Sequence, residues 1–163
     1  MIVVMMGVSG SGKTTVGQAL ADALGWPFHD ADDFHPSENV VKMAAGTPLT
    51  DEDRWPWLAR MTDAMRAIDS SGGSAVLACS ALRQAYRDVL ATAGDVRFVH
   101  LRGDYDTIAA RIAARRHRYM PASLLHSQFA TLEPPADALD VDVRQSVAAQ
   151  VAQLRAALAG KPS

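Results

Sequence analysis

The sequence predicts an α/β fold with a mainly parallel sheet, and three observations carry this prediction. An uninterrupted apolar run at 2–6 leads through a Gly/Ser-rich turn into an amphipathic helix. Short apolar runs then alternate with stretches of helical periodicity along the remaining chain, as they do in parallel sheets built with crossover helices. The length of 163 residues suits one domain. Since no linker or repeat divides the chain, we expect a single domain over 1–163.

The strands are expected where short apolar runs lie between turn-forming residues. In chain order these runs are 2–6, 26–29, 74–79, 96–101 and 139–143. The first run is apolar at every position, which is typical of a strand buried on both faces of its sheet.

The helices are expected where apolar residues recur every three or four positions between capping signals. In chain order these stretches are 13–24, 36–45, 50–70, 83–93, 104–116 and 146–158. Gly25 and Gly46 end the first two. Thr50 begins the third, because the acids that follow it favour the positive end of a helix dipole. The stretch 117–127 has weak periodicity, and we expect it to be mobile.

Charge and composition exclude several classes. The chain has 16 basic and 18 acidic residues, a formal charge of −2, which gives no support to generic binding of nucleic acid or of a membrane surface. No apolar run approaches the roughly 18 residues of a membrane span, and the opening run is too short for a signal peptide. The single cysteine, Cys79, excludes an internal disulfide and fits a reducing compartment. We therefore expect a cytoplasmic protein.

The turn at 7–14 reads Gly-Val-Ser-Gly-Ser-Gly-Lys-Thr and matches the phosphate-binding pattern G-x-x-x-x-G-K-[ST] at every fixed position. Its glycines let backbone N–H groups turn inward around a phosphate, and the start of the next helix adds positive potential. Lys13 is expected to reach the β- and γ-phosphates, and the Thr14 hydroxyl to bind Mg²⁺. The sequence therefore predicts a nucleoside-triphosphate site, with ATP as the default nucleotide. The expected nucleotide-binding residues are Gly7, Ser9, Gly10, Ser11, Gly12, Lys13, Thr14, Thr15 and Arg111.

The kind of phosphate-loop protein follows from where the acids stand. The strand at 74–79 ends without an acid, unlike the corresponding strand of motors and switch GTPases, and the guanine motif N-K-x-D is absent. Acids follow the second strand instead, at Asp30, Asp32 and Asp33. The carboxyl ends of strands line the ligand crevice of an open α/β sheet. An Asp there can accept a proton from an attacking hydroxyl or hold a Mg²⁺ water; the alternative is a solvated turn.

A basic cluster lies further along the chain, where arginines outnumber lysines. Its members are Arg111, Arg115, Arg116, His117 and Arg118. Arginine forks bind phosphate, and an arginine that closes over the transferred phosphoryl group speeds its transfer. A mobile segment carrying such residues would act as a lid that excludes water, and we expect this lid at about 115–127. The alternative is a solvated basic helix end.

The region between 30 and 55 is expected to bind the phosphate acceptor. Lys42 and Arg54 suggest an acceptor with its own negative charge, such as a carboxylate, and Arg83 is a further candidate cation. His35 either contacts the acceptor or caps the helix that follows it. Trp57 is expected to pack or to line the rim of the pocket.

Longer motifs run through the chain in a fixed order. They are Asp30-Ala-Asp32-Asp33-Phe34-His35-Pro36, Asn39, Lys42-Met43, Gly46-Thr-Pro48-Leu49, Asp51-x-Asp53-Arg54, Pro56-Trp57-Leu58, Cys79-Ser80-Ala81-Leu82-Arg83, Tyr86-Arg87-Asp88, Leu101-x-Gly103-Asp104 and Ser127-Gln128-Phe129-x-Thr131-Leu132-Glu133-Pro134. In this order they resemble the motifs of bacterial and eukaryotic gluconokinases, over about residues 3–155.

The resemblance implies phosphorylation of D-gluconate at its 6-hydroxyl by ATP, giving 6-phospho-D-gluconate and ADP. It also implies a three-layer P-loop kinase fold related to shikimate kinase, with a five-stranded parallel sheet flanked by helices, and a homodimer. By position, it implies Asp32 as the acid that contacts the reacting hydroxyl, Arg54 as the arginine that binds the substrate carboxylate, and Arg115 or Arg116 as the catalytic lid arginine. Lys13 joins the expected catalytic residues from the phosphate-binding pattern. The remaining expectations rest on the residues themselves. Besides Asp32 and Arg54, the substrate is expected to contact His35, Lys42 and Arg83, and Mg²⁺ is expected on Thr14 and Asp30.

Two alternatives to gluconate phosphorylation remain open at this point. One is a related kinase of another small anionic acceptor, such as shikimate. The other is an ATP-binding regulatory module without catalysis. The turn Ser80-Ala81-Leu82, where shikimate kinases carry glycines, and the loop His35-Pro36 both favour gluconate.

Overall fold

The computed structural model describes residues 1–114 and 122–160 of the chain. The strands in that part are β1 (Ile2–Met6), β2 (Phe28–Asp30), β3 (Ala75–Ala78), β4 (Val96–Arg102) and β5 (Leu139–Asp142). They form one sheet in the order β2-β3-β1-β4-β5, and every pairing is parallel. The predicted five-stranded parallel sheet is therefore confirmed.

Helices cover both faces of the sheet. They are α1 (Lys13–Leu24), α2 (Ser37–Ala44), α3 (Asp51–Ser70), α4 (Gln84–Ala91), α5 (Tyr105–Ala114), α6 (Ala122–Thr131) and α7 (Val147–Ala159). In the described ranges none of them is long and apolar enough to cross a membrane. The Thr50 side chain caps α3 in a capping box with Asp53, as the sequence predicts.

Alternate residues of β1 enter separate cores, because successive side chains of a strand point to opposite faces. Val3 and Met5 pack in the core that includes α1, α5 and α7. Ile2, Val4 and Met6 pack in the core that includes α3 and α4. Both faces of β1 are thus buried, which explains why its sequence is apolar at every position.

Two local expectations differ from the structure. The acidic loop after β2 contains a turn of 3-10 helix over Ala31–Phe34, begun by the Asp30 side chain. The stretch 117–127, expected to be mobile, has its residues from Ala122 onward in α6. This helix lacks a clear apolar stripe and is fixed by tertiary contacts, such as the Tyr105 ring stacked on His126 at 4.1 Å. The remainder of that stretch, 117–121, lies outside the described residues.

The order of the strands determines where a ligand can bind. From β1 the chain first builds the sheet toward β2 and β3 on one side, and then toward β4 and β5 on the other. Such a reversal opens a crevice at the carboxyl ends of the strands. The Gly/Ser-rich turn, the acids after β2 and the turn after β3 all lie at that edge.

Candidate active site

A cavity of about 560 Å³ opens at the carboxyl ends of β1, β2 and β3. The Gly/Ser-rich turn and the start of α1 form one wall, Asp30 and Asp32 form another, and Trp57 and the turn 78–80 complete it. The sequence-predicted residues that it brings together are Ser9, Gly10, Gly12, Lys13, Thr14, Thr15, Asp30 and Asp32. The predicted residues outside its described lining are Gly7, Ser11, His35, Lys42, Arg54, Arg83 and Arg111.

The turn has the backbone of a phosphate-binding loop. Gly10 and Gly12 have φ values of 81° and 97°, a region that favours glycine. A Cβ on Gly10 would also lie 2.7 Å from the Ile112 side chain of α5. Gly12 is the N-cap of α1 and provides no side-chain cap. The first N–H groups of α1 therefore face the cavity edge as an anion-binding helix start.

The Lys13 ammonium lies against its own loop. Its Nζ donates to the carbonyl oxygens of Gly7 and Val8, both at 3.0 Å. These contacts hold the ammonium group at the loop, where it can contact an anion bound in the cavity.

Ser11 fills the inside of the loop. Its side chain is fully buried, and its Oγ has no hydrogen-bond partner within the described residues. A Cβ on Gly7 would lie 2.8 Å from that Oγ, so only glycine leaves room for it. The buried hydroxyl is therefore a polar group whose desolvation is not offset.

Asp30 and Asp32 are joined by a short turn. The Asp32 N–H donates to Asp30 Oδ1 at 2.9 Å, which caps the 3-10 helix. Burial, followed by repulsion from the Asp30 carboxylate, raises the pKa of Asp32 above its usual value. Attraction to His35 and Lys13 opposes this rise without cancelling it. Asp32 thus holds its proton to a higher pH than an aspartate in water.

His35 is fixed in one tautomer by its neighbour. The Asn39 Nδ2 donates to the Asp53 carbonyl at 2.8 Å, and the same nitrogen lies 3.2 Å from His35 Nδ1. An amide nitrogen only donates, so Nδ1 accepts and the ring proton is on Nε2. The ring stacks on Trp57 with centroids 4.3 Å apart. Burial lowers the pKa of His35, which favours this neutral form.

The Asp51 carboxylate, in the first turn of α3, lies near two of the predicted cations, Arg54 and Arg83. Tyr86 Oη donates to Asp51 Oδ1 at 2.5 Å, and Arg83 Nη1 lies 3.2 Å from Oδ2. Arg54 Nη1 lies 3.8 Å from Oδ1 and 3.5 Å from the Tyr86 oxygen. Asp51 and Tyr86 therefore hold Arg54 and Arg83 close to each other, outside the described lining of the cavity.

Lys42, expected to contact the acceptor, has the Asp53 carboxylate as its neighbour in the structure. Its Nζ lies 2.9 and 2.8 Å from the two oxygens of Asp53. Together with the Thr50 backbone, this bond lowers the pKa of Asp53 to about 2. Lys42 thus joins α2 to the capping box of α3 and does not line the cavity.

The turn after β3 is held from two sides. The buried Arg87 donates to the Ala81 carbonyl at 2.6 Å and to the Glu133 carbonyl at 2.7 Å. Ala81 has a φ of 45°, an uncommon conformation for a residue other than glycine. Cys79, beside it, borders the cavity, and burial raises the pKa of its thiol to about 12. This thiol is therefore inert at neutral pH, as expected of a small buried residue.

Gln128 is the site residue that the sequence reasoning did not identify. It contacts Ser9 with both ends of its amide: the Ser9 N–H donates to Oε1 at 2.7 Å, and Nε2 donates to Ser9 Oγ at 3.0 Å. Its signal in the sequence is the motif over 127–134, which contains Gln128 but indicates no partner for it. A pairing over 119 positions cannot be deduced from local periodicity.

The predicted metal ligands lie in the same cavity. Thr14 and Asp30 both line it, and their oxygens are the hard donors that Mg²⁺ prefers. Among the described residues there is no cluster of three or more metal-binding side chains. The donor set therefore fits an ion that is bound in part by phosphate and water, as Mg²⁺ commonly is in kinases.

Of the three arginines of the basic cluster that are predicted to act in the site, one lies in the described part of the chain and two lie outside it. Arg111, in α5, donates from Nη2 to the Val143 carbonyl and so ties α5 to the loop after β5. Arg115 and Arg116 lie outside the described residues.

Comparison with known proteins gives consistent matches. Residues 9–133 match the family model described as shikimate kinase. The chain is 44% identical to the thermosensitive gluconokinase of Escherichia coli K12, over 95% of this chain and 86% of that protein. It is 51% identical to the gluconokinase of Gluconobacter oxydans 621H, over 82% of this chain and 76% of that protein. The crystal structure of a gluconokinase from Sinorhizobium meliloti 1021 matches with a TM-score of 0.86 at 44% identity, covering 96% of this chain and 90% of that chain.

Proposed function

The chain belongs to the gluconokinase family within the shikimate-kinase-related P-loop kinases, and on that premise we propose that it phosphorylates the 6-hydroxyl of D-gluconate with ATP. The products are 6-phospho-D-gluconate and ADP. The observation that supports this reaction best is a single cavity that combines a phosphate-binding loop with Asp32, a carboxylate of raised pKa.

The loop and α1 are assigned to the phosphates of ATP. The N–H groups at the start of α1 provide positive potential for a phosphate, and Lys13 provides a mobile charge. In the structure the Lys13 Nζ donates to the Gly7 and Val8 carbonyl oxygens. A phosphate oxygen is a stronger partner for an ammonium than a neutral carbonyl, so Lys13 is expected to move from these carbonyls to the nucleotide.

Thr14 and Asp30 are assigned to Mg²⁺, which when bound neutralises charge on the phosphates. Both residues line the cavity that includes the phosphate-binding loop. Asp30 Oδ1 already accepts the Asp32 N–H, which leaves Oδ2 for a metal or its water. Asp30 thereby links the metal position to the placement of Asp32.

Asp32 is assigned as the general base. It lines the same cavity as Lys13 and the loop, and a raised pKa makes its carboxylate a better proton acceptor once it is ionised. The proton of the attacking 6-hydroxyl passes to an Asp32 oxygen, while the hydroxyl oxygen forms its bond to the terminal phosphorus and ADP leaves.

Arg54, Arg83 and His35 are assigned to the acceptor. A guanidinium fork suits a carboxylate, and gluconate carries one. Arg54 and Arg83 share the single carboxylate of Asp51, so their positive charge is only partly neutralised. His35 presents a neutral ring with its proton on Nε2, which suits a hydroxyl of the sugar acid. Lys42 is assigned to hold α2 against α3 through Asp53.

Arg115 and Arg116 keep the role that the resemblance implies, as cations that close over the transferred phosphoryl group.

We further propose that the enzyme is cytoplasmic and a homodimer. The dimer is supported by exposed apolar side chains on α2, where Val40, Val41 and Met43 are 51%, 68% and 43% exposed. Light scattering at several protein concentrations tests the dimer, and a constant monomer mass would contradict it.

An acceptor panel tests the activity. ADP release is followed with Mg²⁺ and ATP in the presence of gluconate, other sugar acids, shikimate or a nucleoside monophosphate. We expect the highest kcat/KM with gluconate and little release without an acceptor. A higher value with shikimate would contradict the proposal in favour of a related kinase. ATP binding without turnover of any acceptor would indicate a regulatory module.

A further inference from the structure

The Gln128 amide fixes the direction of two hydrogen bonds to Ser9. The Ser9 backbone N–H can only donate, so the amide atom 2.7 Å away must be Oε1. The other end of the amide is then Nε2, which can only donate. Ser9 Oγ, 3.0 Å from it, is therefore the acceptor of that bond.

This direction determines what the Ser9 hydroxyl can do. A serine hydroxyl has one hydrogen, which points away from a donor that its oxygen accepts. No hydrogen bond in the described part of the chain uses that hydrogen. Ser9 lines the cavity beside Lys13 and Thr14. The Gln128 amide thus leaves the Ser9 hydroxyl free to donate to a group that occupies the cavity.

We propose that Gln128 is a positioning residue that makes Ser9 Oγ–H a hydrogen-bond donor to the terminal phosphoryl group of the nucleotide. This inference rests on the proposed function, since it needs a nucleoside triphosphate in the cavity. Donors fixed in advance toward developing charge lower the barrier without reorganisation during the reaction. Ser9 would supply one such donor, and Gln128 would supply its orientation.

Contacts on both sides of Gln128 along the chain fix its position. Leu125, one turn earlier in α6, is 2% exposed, and the His126 ring stacks on Tyr105. After the end of α6, the Glu133 N–H donates to the Leu82 carbonyl at 2.8 Å, and its carbonyl accepts from Arg87. The helix is therefore anchored before and after Gln128, which limits the freedom of the amide.

A glutamine suits this position where a glutamate would not. A glutamate could still accept the Ser9 N–H with one oxygen. Its second oxygen has no hydrogen to give when ionised, so the Ser9 hydroxyl would donate to it. Gln128→Glu would therefore turn the Ser9 hydrogen away from the cavity while preserving the shape of the side chain.

A double-mutant cycle tests the inference with two readouts. The variants are Ser9→Ala, Gln128→Glu and the double variant, with Ser127→Glu as a control that adds the same charge at the exposed neighbouring position. The first readout is kcat and the KM for ATP with gluconate. The second needs no turnover: the affinities for a non-hydrolysable ATP analogue and for ADP, measured by calorimetry and expressed as a ratio.

Ser9→Ala is expected to lower kcat by about 10- to 100-fold, a smaller loss than the largest reported for removing one fixed donor. It is also expected to reduce the ratio of analogue affinity to ADP affinity several-fold. Gln128→Glu is expected to lower kcat and the affinity ratio by at least as much. The double variant should be no worse than Gln128→Glu, because the hydroxyl that glutamate misdirects is already absent. Ser127→Glu should change both readouts less than twofold.

Several results would overturn the inference. Effects of the two substitutions that multiply fully, or an unchanged affinity ratio in Ser9→Ala, would show that the hydroxyl does not contact the terminal phosphoryl group. A loss confined to thermal stability would assign Gln128 a structural role only. If gluconate is not turned over but the ratio changes as expected, the proposed acceptor is wrong and the inference on Ser9 holds. If gluconate is turned over but the ratio does not change, the proposed acceptor is right and the inference on Ser9 is wrong.

Discussion

The Tyr86 hydroxyl donates a 2.5 Å hydrogen bond to Asp51 Oδ1 and so joins α4 to the first turn of α3. The two residues are 35 positions apart in the chain. Asp51 is also the carboxylate beside which Arg54 and Arg83 lie. By occupying one of its oxygens, the tyrosine keeps the carboxylate from pairing fully with Arg54. The placement of Arg54 and Arg83, which we propose to bind the acceptor, thus depends on a phenol that lies outside the cavity lining.

Tyr86→Phe is expected to raise the KM for gluconate by about three- to tenfold, corresponding to roughly 1 kcal/mol for one hydrogen bond. Without the phenol, Asp51 can draw the Arg54 guanidinium toward itself and away from the acceptor. The KM for ATP should stay within twofold. Tyr105→Phe is the matched control, because its hydroxyl makes no hydrogen bond within the described residues. Steady-state kinetics with each substrate varied in turn decide the matter, and equal rises in both KM values would contradict the assignment.

Asp32→Asn is expected to lower kcat by about two to four orders of magnitude, the usual contribution of a general base, with ADP affinity nearly unchanged. The comparison variant is Asp33→Asn, because Asp33 does not line the cavity. Pre-steady-state measurement of the phosphoryl-transfer step, together with calorimetric ADP binding, separates the two roles. Loss of ADP binding in Asp32→Asn would assign the carboxylate to the nucleotide or the fold.

The same substitution is expected to change the pH dependence of stability. The pKa of Asp32 is raised in the folded state, so folding favours the protonated form. That favourable contribution is complete below the unfolded-state pKa of 3.8 and is lost as the pH rises through the folded-state value. At pH 7 Asp32→Asn should therefore be more stable than the wild type, and the difference should shrink on acidification. Urea unfolding at pH 4 and pH 7 measures it; a less stable variant at pH 7 would contradict the raised pKa.

The nucleotide half of the site could be predicted from the sequence because its determinants are local. The loop, its glycines and the helix that follows occupy one continuous segment, and their spacing alone defines a phosphate site. The pairings of Ser9 with Gln128 and of Asp51 with Tyr86 could not be predicted, since each joins residues far apart in the chain. The contact of Lys42 with Asp53 shows the same limit, since it joins α2 to α3 through the fold. The helix α6 was missed because tertiary contacts, not an apolar period, define it.

The His35 ring is expected to titrate below the ordinary histidine pKa of 6.5 and to hold its proton on Nε2 when neutral. Burial lowers this pKa in the folded state, with Arg54 acting in the same direction and Asp32 opposing. The stabilising contribution is therefore present above pH 6.5 and is lost as the pH falls through the folded-state value. Nitrogen-15 NMR of the imidazole gives both the pKa and the tautomer. A pKa above 6.5, or a proton on Nδ1, would contradict the hydrogen bond from Asn39.

His35→Phe provides the matched test in stability, because phenylalanine can still stack on Trp57. The wild type should lose stability between pH 6.5 and pH 5 more steeply than this variant. Any contribution of His100, whose pKa is also lowered by burial, is common to both proteins and cancels in the difference. Parallel slopes over that pH range would mean that His35 does not titrate there.

Ser11→Ala is expected to stabilise the nucleotide-free protein by about 1 kcal/mol, because it removes a buried hydroxyl without a partner. For a chain of 163 residues that change corresponds to a rise in Tm of about 2–4 °C. Ser71→Ala is the contrasting control, since the Ser71 hydroxyl donates to the Ile68 carbonyl at 2.8 Å and its loss should lower Tm or leave it unchanged. Calorimetry in the absence of nucleotide gives the comparison. A lower Tm for Ser11→Ala would show that the hydroxyl has a partner, such as an internal water. An unchanged Tm with weaker ADP binding would instead indicate that the hydroxyl serves the nucleotide, and that the loop retains an unpaired polar group until its ligand binds.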